Sequence, residues 1–444
     1  MSSADKVQEE DSKILSNFLD RTFFKSWSTQ RDSKRPQYLG NFHSLELNTT
    51  AHCSQRCQYC YVQKYGKEYF PVGTSNPKQI LSNTDLLIKW LHEHNYTPGI
   101  EIFSGEPLIQ PLTFEIIDKL FEAQKEKPIG VSVGIPTNMD WLMIDKFRDR
   151  VIDVMQRGRT VNLPIHLSAS VDGKFMEENR PHRSKQFQYS DEFYNRLFTF
   201  AARKGCGFHP MVHSNGIERW RDNFLWFQEN FARYKISWAN IYLLEVRNME
   251  WTIDQTKELG RFLRFLIEWV AKNHPDFRTF PFNILAHPFV QVGRGIGCSI
   301  QSSIQLRLGD LSWAPCHRQR YDKFTSGQFV VENGKITGVK AKNLEFWLAI
   351  MSSEAKNFPQ CETCLISTLC PHGCLGSQYE TTGDAFSPIP TMCRMEHFKT
   401  FSILKGYQDV GYLNQIMQRL PEPRRMAITA VLDSEVYHEF TKHC

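Results

Sequence analysis

Asn48-Thr-Thr-Ala-His-Cys-Ser-Gln-Arg-Cys-Gln-Tyr-Cys-Tyr61 is the stretch that decides how this chain folds and what it does. Its cysteines Cys53, Cys57 and Cys60 have CxxxCxxC spacing and directly follow an alternating, strand-like segment at 44–47. Three thiolates on one short loop can hold an iron–sulfur cluster and leave one iron open to another molecule. Zinc is the alternative, but structural zinc usually has four ligands and favours CxxC pairs. The loop therefore predicts an iron–sulfur cluster with an open iron.

The composition is that of a globular protein. The 444 residues are enough for two or three domains, and 41% of them are hydrophobic. The sequence has no run of about 18 apolar residues that could cross a bilayer. The first ten residues are charged and carry no apolar segment, so a cytoplasmic location without a secretory signal is expected. Lys and Arg are scattered and the net charge of +5 counts every cysteine as neutral, so nucleic-acid binding is not expected.

Strand and helix patterns alternate from about residue 41. Six strand-like segments are separated by helical ones, at 44–47, 99–103, 130–135, 165–171, 208–213 and 240–246. Capping-box patterns predict that helices begin at 82–85 and at 252–255. This alternation predicts an α/β fold with a parallel sheet and right-handed crossovers, in which the chemistry lies at the carboxyl ends of the strands.

The twelve cysteines indicate more than one metal-bearing region. They are not expected to form disulfides, because the cytosol keeps thiols reduced, and ten of them fall into groups at 53–60 and 298–393. Together with the strand pattern, this predicts an N-terminal helical extension at 1–40, an α/β domain at 41–285, a second cysteine-bearing domain at 286–400 and a helical tail at 401–444.

The first cysteine motif, with the aromatic Tyr59 before its last cysteine, resembles that of the radical S-adenosylmethionine enzymes. This resemblance implies a partial (β/α)6 TIM-like barrel and a 4Fe-4S cluster whose open iron is chelated by the amino and carboxylate groups of S-adenosylmethionine. Reduction of the cluster would then cleave the cofactor to methionine and a 5′-deoxyadenosyl radical.

Three other strand ends resemble the same family. The segment 103–107 is similar to its Gly-Gly-Glu-Pro, Thr137-Asn138 to its Thr-Asn-Gly with Met139 in place of glycine, and 168–173 to its Ser-Leu-Asp-Gly. From the residues alone, the hydroxyls in these segments are equally typical of turn caps. The basic residue facing the cofactor carboxylate would be Arg180 or, less well placed, Arg183. By the resemblance, the cofactor contacts are Tyr59, Ser104, Gly105, Glu106, Thr137, Ser170 and Arg180.

The second group of cysteines resembles the SPASM extension of radical enzymes, which carries two auxiliary 4Fe-4S clusters. The family pattern assigns one cluster to Cys361, Cys364, Cys370 and Cys393. It assigns the other to Cys298, Cys316 and Cys374. The spacing from Gly309 to Cys316 is two residues longer than usual, so this cluster has either an open iron or a fourth ligand from elsewhere. A zinc knuckle is the alternative for 361–374.

Candidates for the catalytic residues are few. Cys206 is either a hydrogen-atom donor, as in some peptide epimerases of the superfamily, or a structural thiol, which its place before a strand favours. His213 and Glu245, like His166 and His209, lie on or at the ends of predicted strands. Each is either a base for a carbon-centred intermediate or a residue of the barrel interior.

Enzymes with this domain mostly modify peptides or proteins. Sulfatase maturases carry an aspartate directly after the cysteine that corresponds to Cys316, whereas this chain has His317, so a crosslink in a ribosomally made precursor peptide is favoured. Peptide epimerisation, sulfatase maturation and a non-catalytic electron-transfer role are the alternatives. The implied partners are the precursor peptide and a flavodoxin- or ferredoxin-type reductant. Forty residues before the barrel are few for a leader-binding domain, so a separate recognition protein or direct leader binding is expected.

Overall fold

The computed structural model describes residue 13 and residues 44–71, 74–103, 105–247, 250–277, 280–290, 303–318, 324–343, 345–346 and 358–442. The predicted N-terminal helical extension lies outside these residues apart from Lys13, as do Ser104 and Cys298. The chain forms two compact units with interleaved segments. The first comprises Met1–Ala169, Pro181–Cys206 and Ser299–Ser352, and the second comprises Ser170–Arg180, Gly207–Cys298 and Ser353–Cys444. The four-domain division at 40, 285 and 400 stays a prediction.

The strands are, in chain order, β1 (Ser44–Asn48), β2 (Gly99–Phe103), β3 (Ser132–Thr137), β4 (Ile165–Ala169), β5 (Gly207–Phe208), β6 (Met211–Val212), β7 (Leu244–Glu245), β8 (Ser303–Arg307), β9 (Ser312–Ala314), β10 (Gly327–Glu332) and β11 (Lys335–Ala341). The helices are α1 (Tyr61–Lys64), α2 (Gly66–Tyr69), α3 (Pro77–Glu93), α4 (Pro111–Glu126), α5 (Asp145–Thr160), α6 (Met176–Asn179), α7 (Asp191–Lys204), α8 (Trp220–Tyr234), α9 (Ile253–Asn273), α10 (Asn283–Ala286), α11 (Leu375–Thr382), α12 (Pro390–Asp409), α13 (Leu413–Gln418), α14 (Glu422–Leu432) and α15 (Glu435–Lys442).

A sheet with a parallel centre forms the core of the first unit. Its strand order is β11-β10-β9-β8-β1-β2-β3-β4, and β8, β1, β2, β3 and β4 run parallel. Side chains alternate between the two faces of a strand. Leu45, Leu47, Ile100 and Ile102 are buried on the apolar face, and Glu46 and Glu101 therefore lie on the opposite one, which is called the inner face below. The predicted α/β fold with a parallel-sheet core is confirmed.

The second unit contains shorter strands and longer helices. The predicted strand at 208–213 is divided into β5 and β6, because Pro210 between them has no amide hydrogen for a ladder. The predicted strand at 240–246 is reduced to β7, which pairs in parallel with β6. The long helices α9 and α12 pack against each other, and the Cβ of an alanine at Gly260 would lie 2.4 Å from Oγ of Ser402. A glycine at this position thus permits the close approach of the two helices.

One of the two predicted helix starts is correct and the other is wrong. At Thr252 the capping box is confirmed, since its hydroxyl accepts from the amide of Gln255 at 3.2 Å and its own amide donates to that side chain at 2.9 Å. Helix α3, in contrast, begins at Pro77 and not at 82–85. The side chain of Asn76 accepts from the amide of Lys78 at 3.0 Å and so caps the helix one and a half turns earlier.

In the part of the chain that the structure describes, no helix has the length and apolar character needed to cross a membrane.

Gly309, which begins the segment that ends at Cys316, is a position where substitution can test the packing of the first unit. A Cβ at this position would lie 1.7 Å from the carbonyl oxygen of Thr74, whereas a Cβ at Gly338 would have no atom of the described residues within 4 Å. We expect Gly309→Ala to lower the free energy of unfolding by about 2 kcal/mol or more, because the backbone of Thr74 must move. Gly338→Ala should be neutral or stabilising by up to about 1 kcal/mol, since alanine suits a strand better than glycine does. Denaturant unfolding measures both, and equal stabilities would contradict the close approach.

Candidate active site

The cysteine loop, residues 51–60, begins at the carboxyl end of β1. The amide of Cys60 donates to the carbonyl of Cys57 at 3.1 Å and closes a turn in which Tyr59 is half-buried. The amide of Gln55 donates to Sγ of Cys53 at 3.4 Å, and the thiol of Cys57 donates to the side-chain oxygen of Gln55 at 3.6 Å. A hydrogen bond donated to a ligating sulfur, such as that from Gln55 to Cys53, is a feature of iron–sulfur sites and tunes their potentials.

The thiols of this loop lie close enough to influence one another. Burial raises the pKa of Cys53 well above its ordinary value, the Glu106 carboxylate raises it further, and Cys57 and Cys60 add to the effect. A thiolate at Cys53 is therefore unfavourable without a compensating cation. Cluster iron is such a cation, and metal ligation releases the thiol protons. The donor set of three thiols on one loop thus fits the predicted cluster.

The segment after β2 holds the cysteine loop through its backbone. The amide of Glu106 donates to the carbonyl of His52 at 2.8 Å. Gly105 before it has φ of +58°, and a Cβ there would lie 2.2 Å from the same carbonyl oxygen. Both the left-handed conformation and the close approach require glycine. The likeness of this segment to Gly-Gly-Glu-Pro therefore has a physical basis in the contact with the cysteine loop.

The carboxylate of Glu106 is fully buried and joins the ends of β2 and β3. It accepts from the amide of Leu108 at 3.1 Å, the hydroxyl of Thr137 at 2.8 Å and the amide of Asn138 at 2.6 Å. Burial raises the pKa of Glu106 to about 7, against the lowering effect of these three donors. The Thr137 hydroxyl also accepts from the indole of Trp141 at 2.9 Å. The side chains of Glu106 and Thr137 are thus engaged with each other and with the backbone.

Asp140 is a site residue that the sequence did not reveal. This buried carboxylate accepts from the hydroxyl of Ser54 at 2.7 Å and from the side chain of Gln55 at 3.3 Å, both within the cysteine loop. Nε2 of His182 lies 3.4 Å from it. Asn138 completes the network by donating to the Ser54 hydroxyl at 2.7 Å. The available signal for Asp140 in the sequence was its place just after the segment Thr137-Asn138. However, 85 residues separate Asp140 from Gln55 in the loop that it supports.

Met139 occupies the position where the resembled motif has glycine. Its φ is +67°, in the left-handed region, and its side chain is fully buried. The left-handed conformation costs a residue with a Cβ about 1–2 kcal/mol. The backbone here has the shape that glycine would favour, and burial of the methionine side chain offsets the strain.

The remaining predicted cofactor contacts lie in the second unit. Nε of Arg180 lies 2.9 Å from the carboxylate of Asp172, and both side chains are almost completely buried. Asp172 also accepts from the amide of Met211 at 2.9 Å, while Ser170 is half-buried. The guanidinium of Arg180 is thus held in a fixed position by its ion pair. A contact of Ser170 or Arg180 with the cofactor stays a prediction.

The second unit also brings the C-terminal cysteines together. Burial and, to a lesser extent, the neighbouring thiols of Cys361 and Cys364 raise the pKa of Cys393 to about 11, and Cys393 in turn contributes to the raised pKa of Cys370. These are the four residues predicted to bind one auxiliary cluster. A cavity of about 30 Å³ is lined by Cys361, Cys370 and Cys393 and also by Cys374. Within the described residues, no three His, Cys, Asp or Glu side chains are arranged around a single metal ion. The set Cys298, Cys316 and Cys374 stays a prediction, since Cys298 lies outside those residues.

The environments of the three predicted catalytic candidates differ. Cys206 is fully buried, and burial raises its pKa to about 12. Burial lowers the pKa of His213, so its imidazole is neutral. Burial raises the pKa of Glu245, but Lys399 at 2.7 Å and Arg247 at 2.6 Å outweigh this effect and keep the carboxylate ionised. Glu245 is thus held by two cations, and a catalytic role for any of the three stays a prediction.

Glu245 is part of a buried ionic cluster that the sequence did not reveal. Arg247 lies 3.0 Å from Glu396, which lies 3.1 Å from Nε2 of His287. Burial lowers the pKa of His287 to about 3, so that it is neutral, and two acids are balanced by Lys399 and Arg247. Arg247 and Glu396 also line the cysteine cavity. The cluster therefore places balanced charges beside the predicted auxiliary site.

Two further acids face the inner side of the first unit. Glu46 and Glu101 are directly opposed on β1 and β2. Burial raises the pKa of Glu101 to about 7, Glu46 contributes to this increase, and His317 opposes it. Nδ1 of His317 lies 3.4 Å from Glu46, and its ring stacks on Tyr61 with 5.6 Å between centroids. The alternation of Leu45, Glu46 and Leu47 was the signal in the sequence for an acid on the inner face.

Comparison with protein-family models and with curated proteins finds no match. Solved structures of radical S-adenosylmethionine/SPASM enzymes, however, have the same fold. Among them is anSMEcpe, an anaerobic sulfatase-maturating enzyme, to which this chain is similar in structure. Native anSMEcpe with bound AdoMet has a TM-score of 0.59 and 15% identity, covering 84% of this chain and 99% of that one. The histidine-tagged form with bound AdoMet has a TM-score of 0.58 and 14% identity, covering 87% of this chain and 98% of that one. The native form with bound AdoMet and Cp18Cys peptide has a TM-score of 0.57 and 16% identity, covering 84% of this chain and 99% of that one. The chain therefore has the fold that its motifs implied.

The strain at Met139 predicts an inverted order of stability between glycine and alanine. Met139→Gly and Met139→Ala should both be less stable than the parent by about 2–5 kcal/mol, because a buried side chain is lost. The glycine variant should nevertheless exceed the alanine variant by about 1 kcal/mol, since only alanine keeps the left-handed strain. At Met155, buried within helix α5, the same pair should show the ordinary order with alanine ahead by about 1 kcal/mol. Denaturant unfolding measures the free energy of unfolding of the four variants. If alanine were more stable than glycine at both positions, the left-handed backbone at Met139 would be refuted.

Glu101 predicts a pH dependence of stability. Its folded-state pKa of about 7 exceeds the ordinary 4.5, so between these values the folded chain binds more protons than the unfolded one. Stability should therefore fall as pH rises from about 4.5 to about 7, by at most about 3 kcal/mol from this group. Glu101→Gln should remove this part of the decline and leave the variant more stable than the parent above about pH 7. The exposed Glu122→Gln is the control and should keep the pH dependence of the parent. If thermal unfolding of the parent and of Glu101→Gln changed with pH in parallel, the raised pKa of Glu101 would be contradicted.

Proposed function

We propose that this chain is a radical S-adenosylmethionine enzyme with auxiliary clusters that installs a carbon–carbon or thioether crosslink in a ribosomally synthesised peptide. The observation that carries the proposal is the CxxxCxxC loop at the carboxyl end of β1, held by Gly105 and Glu106 from the end of β2. Ligands at this end of parallel strands are typical of enzyme sites.

The residues of the first unit have distinct tasks in this proposal. Cys53, Cys57 and Cys60 provide three cluster ligands and leave the fourth iron for S-adenosylmethionine. When bound and reduced, the cluster and its cofactor supply a 5′-deoxyadenosyl radical that abstracts hydrogen from the peptide. Glu106 would keep the loop in position through its backbone amide, which donates to His52, and Asp140 through its carboxylate, which accepts from Ser54.

The C-terminal cysteines are proposed to hold two more 4Fe-4S clusters, which gives three in all. Cys361, Cys364, Cys370 and Cys393 would hold one, and Cys298, Cys316 and Cys374 would be ligands of the other. An auxiliary cluster would supply an electron acceptor for an oxidative crosslink. The mutual influence of the first four thiols and the neighbouring ionic cluster support this assignment.

A precursor peptide is preferred to a sulfatase as the substrate because of the surroundings of His317. An aspartate at this position, as in sulfatase maturases, would add a third acid beside Glu46 and Glu101. The histidine instead contributes a ring that stacks on Tyr61 and a nitrogen that faces Glu46. Binding of AdoMet together with a peptide by anSMEcpe supports a peptide substrate for a chain with this fold. The partners would be a flavodoxin or ferredoxin in the cytoplasm and a leader-recognition protein, unless the chain binds the leader directly.

Anaerobic reconstitution of cysteine variants tests the proposal. Cys53→Ala should contain about four iron ions and about four sulfide ions fewer than the parent, because one 4Fe-4S cluster is lost. It should also form no 5′-deoxyadenosine in the presence of a reductant. Cys361→Ala should also lose about four iron ions, whereas Cys206→Ala should keep the iron content of the parent. Iron and sulfide assays and chromatography of the nucleoside measure these outcomes. A parent protein that holds zinc, or that holds iron but never cleaves S-adenosylmethionine, would refute the enzymatic function.

A further inference from the structure

The inner face of the first unit carries a polar row across five parallel strands. The strand register aligns Gln305 on β8 with Glu46 on β1, Glu101 on β2, Gly134 on β3 and His166 on β4. The central strands of parallel sheets are ordinarily almost continuously apolar. The packing of the sheet therefore does not explain why five successive positions lack an apolar side chain.

Gln305 has unsatisfied hydrogen-bonding groups. Its side chain is fully buried, and among the described residues neither its amide oxygen nor its amide nitrogen has a hydrogen-bond partner. The neighbouring Glu46 is 7% exposed, and its Oε2 has no hydrogen bond within the same residues, with Nδ1 of His317 in ion-pair distance at 3.4 Å. Buried amides and carboxylates without partners are costly, and native proteins seldom keep them without a reason. A ligand that donates hydrogen bonds would satisfy the Glu46 carboxylate and the amide oxygen of Gln305.

The row has no side chain beyond Cα at the position next to Glu101, which is Gly134. A Cβ at Gly134 would have its nearest contact at 3.8 Å, with Cγ of Glu101, so a small volume lies open there. His166, the next residue of the row, is exposed although it lies on a strand of the sheet. The row thus has a solvent-exposed residue at one end, His166, and a fully buried one at the other, Gln305.

The acceptors of this row match a guanidinium group. Neighbouring strands are about 4.8 Å apart, so the carboxylates of Glu46 and Glu101 can face two edges of one planar cation. A guanidinium has five donors in a rigid fork, and it pairs with carboxylates in a bidentate manner that a lysine ammonium cannot reproduce. The amide oxygen of Gln305 provides a further acceptor. Phe103 lies two residues after Glu101 on the same face, and its ring packs against that of His317 with 4.9 Å between centroids.

We propose that the inner face of the first unit binds an arginine side chain of the peptide substrate through Glu46, Glu101 and Gln305. The proposal rests on the proposed peptide-modifying function, and it identifies a residue type that the substrate must contain. The arginine is a recognition element that orients the peptide near the cysteine loop following β1. Its guanidinium neutralises the two acids and donates a hydrogen bond to the amide oxygen of Gln305.

Direct binding of model compounds to the reconstituted full-length chain tests the proposal. The probes are N-acetyl-arginine methylamide, its neutral isostere N-acetyl-citrulline methylamide and N-acetyl-lysine methylamide, titrated by saturation-transfer NMR. The arginine compound should bind at least about tenfold more tightly than either of the others, because only it forms charge-assisted bidentate pairs. Glu46→Gln and Glu101→Gln should each weaken its binding by about tenfold or more, while the exposed Glu122→Gln leaves it unchanged.

Equal binding of arginine and citrulline, equal binding of arginine and lysine, or undiminished binding by Glu101→Gln would each overturn the proposal. Glu101→Gln decides the test even if Glu46→Gln fails to fold, since removing one of two like charges is not expected to destabilise the chain. The formation of 5′-deoxyadenosine by the parent separates this proposal from the proposed function. Nucleoside without arginine binding contradicts only the arginine site, and arginine binding without nucleoside contradicts only the radical chemistry.

Discussion

The backbone contact between Glu106 and His52 is the constraint on which the rest of the first unit's site depends. The amide of Glu106 reaches the His52 carbonyl only because Gly105 has no Cβ. The same residue turns its buried carboxylate toward Thr137 and Asn138, so one position connects the cysteine loop to the ends of two other strands. Proximity of these strand ends follows from their parallel order, and the hydrogen bonds then determine the conformation of the loop.

Burial of acids is common to both units but has different consequences in each. In the second unit Glu245 and Glu396 are balanced by Lys399 and Arg247, which keeps the carboxylates ionised and fixed. In the first unit burial and, to a lesser extent, the neighbouring Glu46 raise the pKa of Glu101 to about 7, against the lowering effect of His317. A balanced cluster favours one rigid arrangement. A buried carboxyl group whose pKa is raised, in part by a neighbouring acid, is more typical of a binding site.

Much of the fold followed from local pattern, and the errors have local causes. Helix α9 starts where its capping box predicted, because both halves of that box are within four residues. Helix α3 starts earlier than predicted, because Asn76 and Pro77 form a better start than the box-like sequence inside the helix. Likewise the strand predicted at 208–213 is interrupted at Pro210, whose missing amide hydrogen outweighs the favourable residues around it.

By itself the sequence determined the cysteine motifs, the alternating α/β pattern and the glycine-dependent segment before Glu106, because spacing and residue type are local properties of the chain. Tertiary structure alone revealed Asp140 beneath the cysteine loop, Gln305 beside Glu46 and the ionic cluster around Glu245. Each of these groups combines residues from distant parts of the chain, and strand register and helix packing decide which of them meet. An isolated acid or amide in the sequence carries no sign of its future partner.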